Sequence, residues 1–176
     1  FLFVGAAGSF VILRLRHVSE STESILQVDN RVLDHERVLA DLLLGQSRAE
    51  QKFVITRDEV WYLQFVRFKN DFEARLKTAL ATPDPTIKPI LENIERNYSH
   101  YLTWVDEEAR YLRTRKSYAQ AEFKREKDAR VEAILNSLEK LRATQQRAIY
   151  AKVANLAADA DRAQEEIGRA SCRERV

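Results

Sequence analysis

The chain has 176 residues, 45% hydrophobic and 32% charged, enough for one domain with a true core. Four Gly and three Pro favour long helices over sheet. Lys and Arg number 29 against 27 Asp and Glu, a net charge of +2 that vanishes once residues 167–176 are set aside, so nothing in the charge balance argues for nucleic acid or a polybasic membrane surface.

The chain begins in the apolar run 1–13, then meets Arg14, Arg16 and His17. A membrane span needs about 20 apolar residues, so residues 1–16 are expected to be a transmembrane helix lacking its first residues. A signal-peptide core or a buried helix is the alternative, although no small-residue cleavage site follows. Taken alone, Arg14 and Arg16 would put this flank in the cytoplasm, but the positive-inside rule compares two flanks.

From Val18 the apolar residues recur in heptads. One line is Val18, Ile25, Val32, Leu39, Gln46 and Phe53, with Ser21, Val28, His35, Leu42, Ala49 and Thr56 beside it, the seam of a bundle or coiled coil. The pattern pauses over 56–59, where Asp58 can accept from the first free amides of a new helix. The second helix carries Trp61, Phe65, Phe68, Phe72, Leu76 and Ala79 as a stripe and ends at Thr82-Pro83-Asp84-Pro85-Thr86, because proline lacks an amide donor and restricts its predecessor. Pro89 suits the first turn of a third helix, whose seam is Ile87, Leu91, Ile94, Tyr98, Tyr101, Val105, Ala109 and Leu112.

No Gly or Pro lies between Pro89 and Gly168. One helix over that stretch would be on the order of 100 Å long, so a reversal is expected near Ser117, where the seam loses register. A fourth helix then reads Ile134, Leu138, Leu141, Gln145, Ala148, Ile149, Val153, Leu156 and Ala160. Helices one and four are expected to exceed 40 residues, with two and three nearer about 25 and 30. The architecture predicted is all-α: an up-down-up-down antiparallel four-helix bundle with long first and fourth helices, the first continuing from the transmembrane helix and the fourth returning to the membrane.

Residues 167–176 resemble a translated sequencing adapter and are read as a non-native tail, leaving 17–166 as the bundle. Without them Lys and Arg fall to 26 and Asp and Glu to 26, a net charge of 0. The one cysteine, Cys172, goes with them, and with it any disulfide, thiolate nucleophile or zinc–thiolate site.

Glu50, Lys52, Phe53, Val54, Ile55, Thr56, Asp58, Trp61, Tyr62 and Phe65 resemble the hairpin turn of four-helix-bundle sensory domains in bacterial sensor histidine kinases and methyl-accepting chemotaxis receptors, a turn shared by CHASE-type domains. Where that family often has Gly after the Thr, this chain has Arg57. The resemblance implies a periplasmic or extracellular bundle anchored in the bacterial inner membrane, dimeric, feeding a HAMP linker and a kinase or chemotaxis module. It implies a small-molecule ligand or a periplasmic partner protein, while the charge balance argues for no nucleic acid.

No catalytic, cofactor-binding or metal-binding residue is assigned, and the ligand-binding residues are unknown. The fragment is read as non-catalytic. His35-Glu36-Arg37-Val38 lacks the proline-bearing phosphoacceptor pattern, and there is no Gly-rich nucleotide loop. A carboxylate-bridged metal pair needs Glu-x-x-His on two helices, yet Arg14, Val32 and Asn97 stand three before His17, His35 and His100.

His35 reads as a hydrogen-bonded core histidine rather than a ligand contact or pH sensor, and His100 as a surface residue. Asp106, Glu107 and Glu108 with Arg110, Arg113, Arg115 and Lys116 could hold an ion or anionic ligand, but such a run is more often a solvated face. Tyr98, Tyr101 and Trp104 with Arg96 could line a pocket, although aromatic residues at heptad spacing are more often core. The function expected is an extracytoplasmic signal-sensing domain that passes helix movement to an output module, and the alternative is a structural membrane-anchored helical tether or oligomerisation module without ligand.

Overall fold

Asp58 opens its helix as its chemistry requires: its backbone is extended and its Oδ1 accepts from the Val60 amide at 2.9 Å. The computed structural model describes the backbone of residues 30–173 and the side chains of residues 36–162 and 164. Its helices are α1 (Asn30–Thr56), α2 (Glu59–Leu80), α3 (Lys88–Thr114) and α4 (Gln120–Arg173), and no strand occurs among the described residues. Two compact units are described separately, one of residues Val32–Thr144 and one that takes α4 from Gln145 onward.

The three reversals fall where the sequence placed them. Thr56 ends α1, with its hydroxyl donating to the Lys52 carbonyl at 2.8 Å and accepting from the Asp58 amide at 3.3 Å. Arg57 takes the left-handed conformation, φ 57°, and so does in this turn what glycine does without strain.

Two prolines and an Asx turn, the Thr86 amide donating to Asp84 Oδ1 at 2.8 Å, make the second reversal, and Pro89 lies in the first turn of α3. Arg115, also left-handed at φ 52°, closes α3, with the Lys116 amide donating to the Tyr111 carbonyl at 3.1 Å.

The pairings within Val32–Thr144 give the topology. Phe53 meets Tyr62, while a Cβ built on Gly45 would lie 2.9 Å from the Phe68 ring. Phe72 stacks on Tyr98 at 4.2 Å and Glu59 pairs with Arg113. Trp104 packs edge-on against Phe123, and Asn93 donates to Ser137 at 3.0 Å. In each pair of neighbours one position rises as the other falls, so consecutive helices are antiparallel and the unit is an up-down-up-down bundle. The first and third reversals lie at one end of it and the second at the other.

Its core holds Leu39 and Leu43 of α1, Phe65, Phe72 and Leu76 of α2, Leu91, Ile94, Tyr98, Tyr101 and Val105 of α3, and Ile134, Leu138 and Leu141 of α4. Burying one such side chain contributes roughly 1.5–3 kcal/mol.

All eight residues of the predicted α3 seam are buried. The α1 line through Leu39, Gln46 and Phe53 is buried; of its predicted companion Ala49 is core, Leu42 half-buried and Thr56 exposed, and Leu43 and Glu50, which that line left out, are buried as well. The described part of α1 has 27 residues and α4 has 54. In the second unit Ala148, Ile149 and Leu156 are half-buried, and Tyr150 and Val153 are exposed.

The membrane-helix reading of residues 1–16, the heptads before Asn30 and His17 lie outside the described residues, as does the side chain of His35. Among the described residues no helix is long and apolar enough to cross a membrane. The backbone of α4 continues past Glu166 through Gly168 to Arg173.

Candidate functional site

Three charged residues occupy core positions of three different helices near the first and third reversals. Glu50 follows Leu43 by one heptad, Glu108 follows Ile87, Ile94 and Tyr101, and Lys127 precedes Ile134 and Leu141. Helical periodicity turns all three inward, and each is almost wholly buried, at 3%, 2% and 5% exposure. Lys127 Nζ donates to Oε1 of Glu50 and to Oε2 of Glu108, tying α4 to α1 and α3 through one ammonium.

Burial raises the Glu50 carboxyl above the ordinary carboxylate range, opposed by the Lys127 charge and hydrogen bond and assisted by Glu108. Burial first, then the Glu50 charge, raises the Tyr101 hydroxyl as well. Tyr118, in the third reversal, is raised by burial and then by Glu108.

The polar row extends along the core from this cluster. Tyr98 donates to Gln46 Oε1 at 3.0 Å, whereas Gln46 Nε2 and Tyr101 Oη are buried with no hydrogen-bond partner among the described residues. Each unpaired buried group costs about 1–3 kcal/mol, and a buried ion pair is often no more stabilising than apolar side chains of similar volume. Packing alone does not account for such a row, which makes it the candidate site.

Around it the bundle end is stiffened from outside. Arg113 makes a two-pronged pair with Glu59, at 3.0 and 2.9 Å, and its guanidinium lies 4.1 Å from the centre of the Tyr62 ring. Lys52 sits 3.9 Å over Trp61. Of the family-like residues at 50–65, Glu50, Phe53 and Phe65 are therefore core, and Lys52, Asp58, Trp61 and Tyr62 shape the turn.

The acidic run at 106–108 divides. Asp106 is exposed and Glu107 pairs with exposed Arg110 at 3.4 Å, as a solvated face should, but Glu108 is buried against Lys127 and corrects that reading. Arg115 and Lys116 are exposed. Tyr98 and Tyr101 are core residues, Trp104 packs on Phe123, and Arg96 is exposed rather than gathered with them. His100 is on the surface.

Lys127 was not singled out from sequence. The signal was its heptad phase with Ile134 and Leu141, concealed because a lysine interrupts an apolar pattern.

The chain is similar in fold to a histidine kinase sensor domain. That structure is the sensor domain of the histidine kinase HK9 from Rhodopseudomonas palustris, which matches with a TM-score of 0.56 over 69% of this chain and 98% of its own, at 17% sequence identity. At that identity the likeness is one of fold. No family model matches the sequence, and no curated protein matches it.

Proposed function

We propose that this bundle is the signal-sensing domain of a bacterial transmembrane receptor, probing the periplasm or the extracellular space and passing a change of helix packing to an output module. The supporting observation is that nearly the whole of a histidine kinase sensor domain has its counterpart here, at a TM-score of 0.56. The hairpin at 50–65, with the family's pattern, joins α1 to α2 at that same bundle end. In this reading the parent protein is a membrane-anchored homodimer with a kinase or chemotaxis output, and this domain is itself non-catalytic.

The mechanism asks for two packings of similar energy and a ligand or partner that binds one of them better. The shift it produces cannot exceed that difference in affinity. Heptad layers supply discrete packings, and a polar layer such as Glu50–Lys127–Glu108 can specify one register over another, as single polar core residues do in coiled coils.

The test is made in the parent receptor. Sequencing the locus past codon 166 should reveal a membrane span followed by an output module, and Leu138→Glu, which puts a charge at a 1% exposed core position, should change the output or unfold the domain. An absent output module, or unaltered output and melting in that variant, would leave a structural tether as the better description.

A further inference from the structure

Glu50, Glu108 and Lys127 present an imbalance of charge inside the core. Two carboxylates share one ammonium, and none of the three is more than 5% exposed. If both carboxylates were ionised the cluster would carry one uncompensated negative charge away from water, which is among the least favourable arrangements a protein interior can hold.

The groups around Glu50 do not remove that charge. From α3 it faces Glu108 and the neutral phenol of Tyr101, and from α4 it faces Lys127, with Lys124 sensing it from the exposed side. From the third reversal Tyr118 senses both carboxylates, with Arg57 acting on that phenol from the turn between α1 and α2. The groups that act most strongly on Glu50 itself are Lys127 and Glu108.

We propose that Glu50, Glu108 and Lys127 form a proton-binding site, in which the carboxylate left without a counter-charge takes one proton from solvent as the pH falls, strengthening the hold of α4 on α1 and α3. The proton ends on a carboxylate oxygen, so the cluster of two carboxylates and one ammonium goes from a net charge of −1 to 0. The inference deepens the sensory reading by naming an external signal for this site, and rests on that reading only for what happens downstream.

The sign of the pH dependence follows. A carboxyl raised in the folded state binds a proton that the unfolded chain has already released, so stability rises as pH falls towards the ordinary carboxylate range and is lost as pH rises through the folded value. While that difference lasts, one proton taken up on folding changes the folding constant about tenfold per pH unit. Glu59 acts in a separate window: its hydrogen bond and charge contact with Arg113 lower its carboxyl, so its contribution is lost only as pH drops below the ordinary carboxylate value. Glu36 is raised by burial in the same sense as Glu50. The cluster's share is therefore the difference between wild type and variant.

The experiment uses the full 176-residue chain. With ¹³C-labelled glutamate, the wild type should show a carboxyl carbon titrating above the ordinary range that disappears in Glu50→Gln. The thermal midpoint of the wild type should rise more steeply between pH 8 and pH 5 than that of Glu50→Gln or Glu108→Gln. Wild-type glutamates all titrating in or below the ordinary range, or equal slopes in wild type and both variants, would overturn the proposal. Should a variant fail to fold, Glu36→Gln decides instead: a carboxyl that still titrates above the ordinary range in it belongs to the cluster, and none left above that range overturns the proposal. A cluster that titrates as expected in a parent receptor whose output ignores pH would leave the proton site standing and overturn only protonation as the receptor's signal.

Discussion

The most consequential residue is Lys127, a lysine in a place where Ile134 and Leu141 set the pattern. Its ammonium is the common partner of Glu50 and Glu108. Lys127→Met should therefore destabilise the bundle by about 3–5 kcal/mol, because it leaves two buried carboxylates without a counter-charge. Adding Glu50→Gln and Glu108→Gln to it should recover most of the loss. Denaturant midpoints of the single and triple variants check this, and a triple variant no more stable than the single one would mean that the ammonium matters for packing rather than charge. Glu50 and Glu108 stood out in the sequence for other reasons, but the burial of the three was not legible residue by residue, since an isolated Glu or Lys on a helix is ordinarily solvated. Their burial appears only when the heptad phases of α1, α3 and α4 are read together.

At the scale of elements the sequence was more informative. Prolines at 83, 85 and 89 bounded α2 and α3, Asp58 marked the start of α2, and the α3 seam was complete. These signals are local, carried by backbone chemistry and by one helix's own periodicity. The companion line of α1 was read incompletely: Ala49 is core as expected, but Leu43 and Glu50 are core too, and they were missed because Leu42-Leu43-Leu44 offers three equivalent choices and Glu50 looked polar. The turn after Thr56 was also incompletely legible: it is built, but on an arginine with φ 57°. A left-handed non-glycine residue costs roughly 1–2 kcal/mol, so Arg57→Gly should raise stability by about 1 kcal/mol, or about 2–4 °C in the melting midpoint for a chain of this size. A lower midpoint would show that the Arg57 side chain contributes more than its backbone strain removes.

For the whole molecule, the described bundle combines an apolar core that any four-helix unit needs with a charged layer that stability alone does not. Leu39, Phe72, Ile94 and Leu138 hold the four helices together, and the cluster at Lys127 makes their union sensitive to protonation. The placing of Gly45 has a consequence of another kind. The ring of Phe68 occupies the space where a side chain at position 45 would begin, so these two residues, on different helices, are free to change only together. Gly45→Ala alone should realise less than the gain of about 1 kcal/mol expected from helix propensity, and all of it beside Phe68→Leu. A double-mutant cycle would read the coupling, for which contacting residues typically give about 0.5–3 kcal/mol; a value near zero would dismiss the idea. Across divergent relatives of this bundle the pair would then covary, a larger residue at the α1 position accompanying a smaller one on α2, and could be used to align sequences too distant to match by eye.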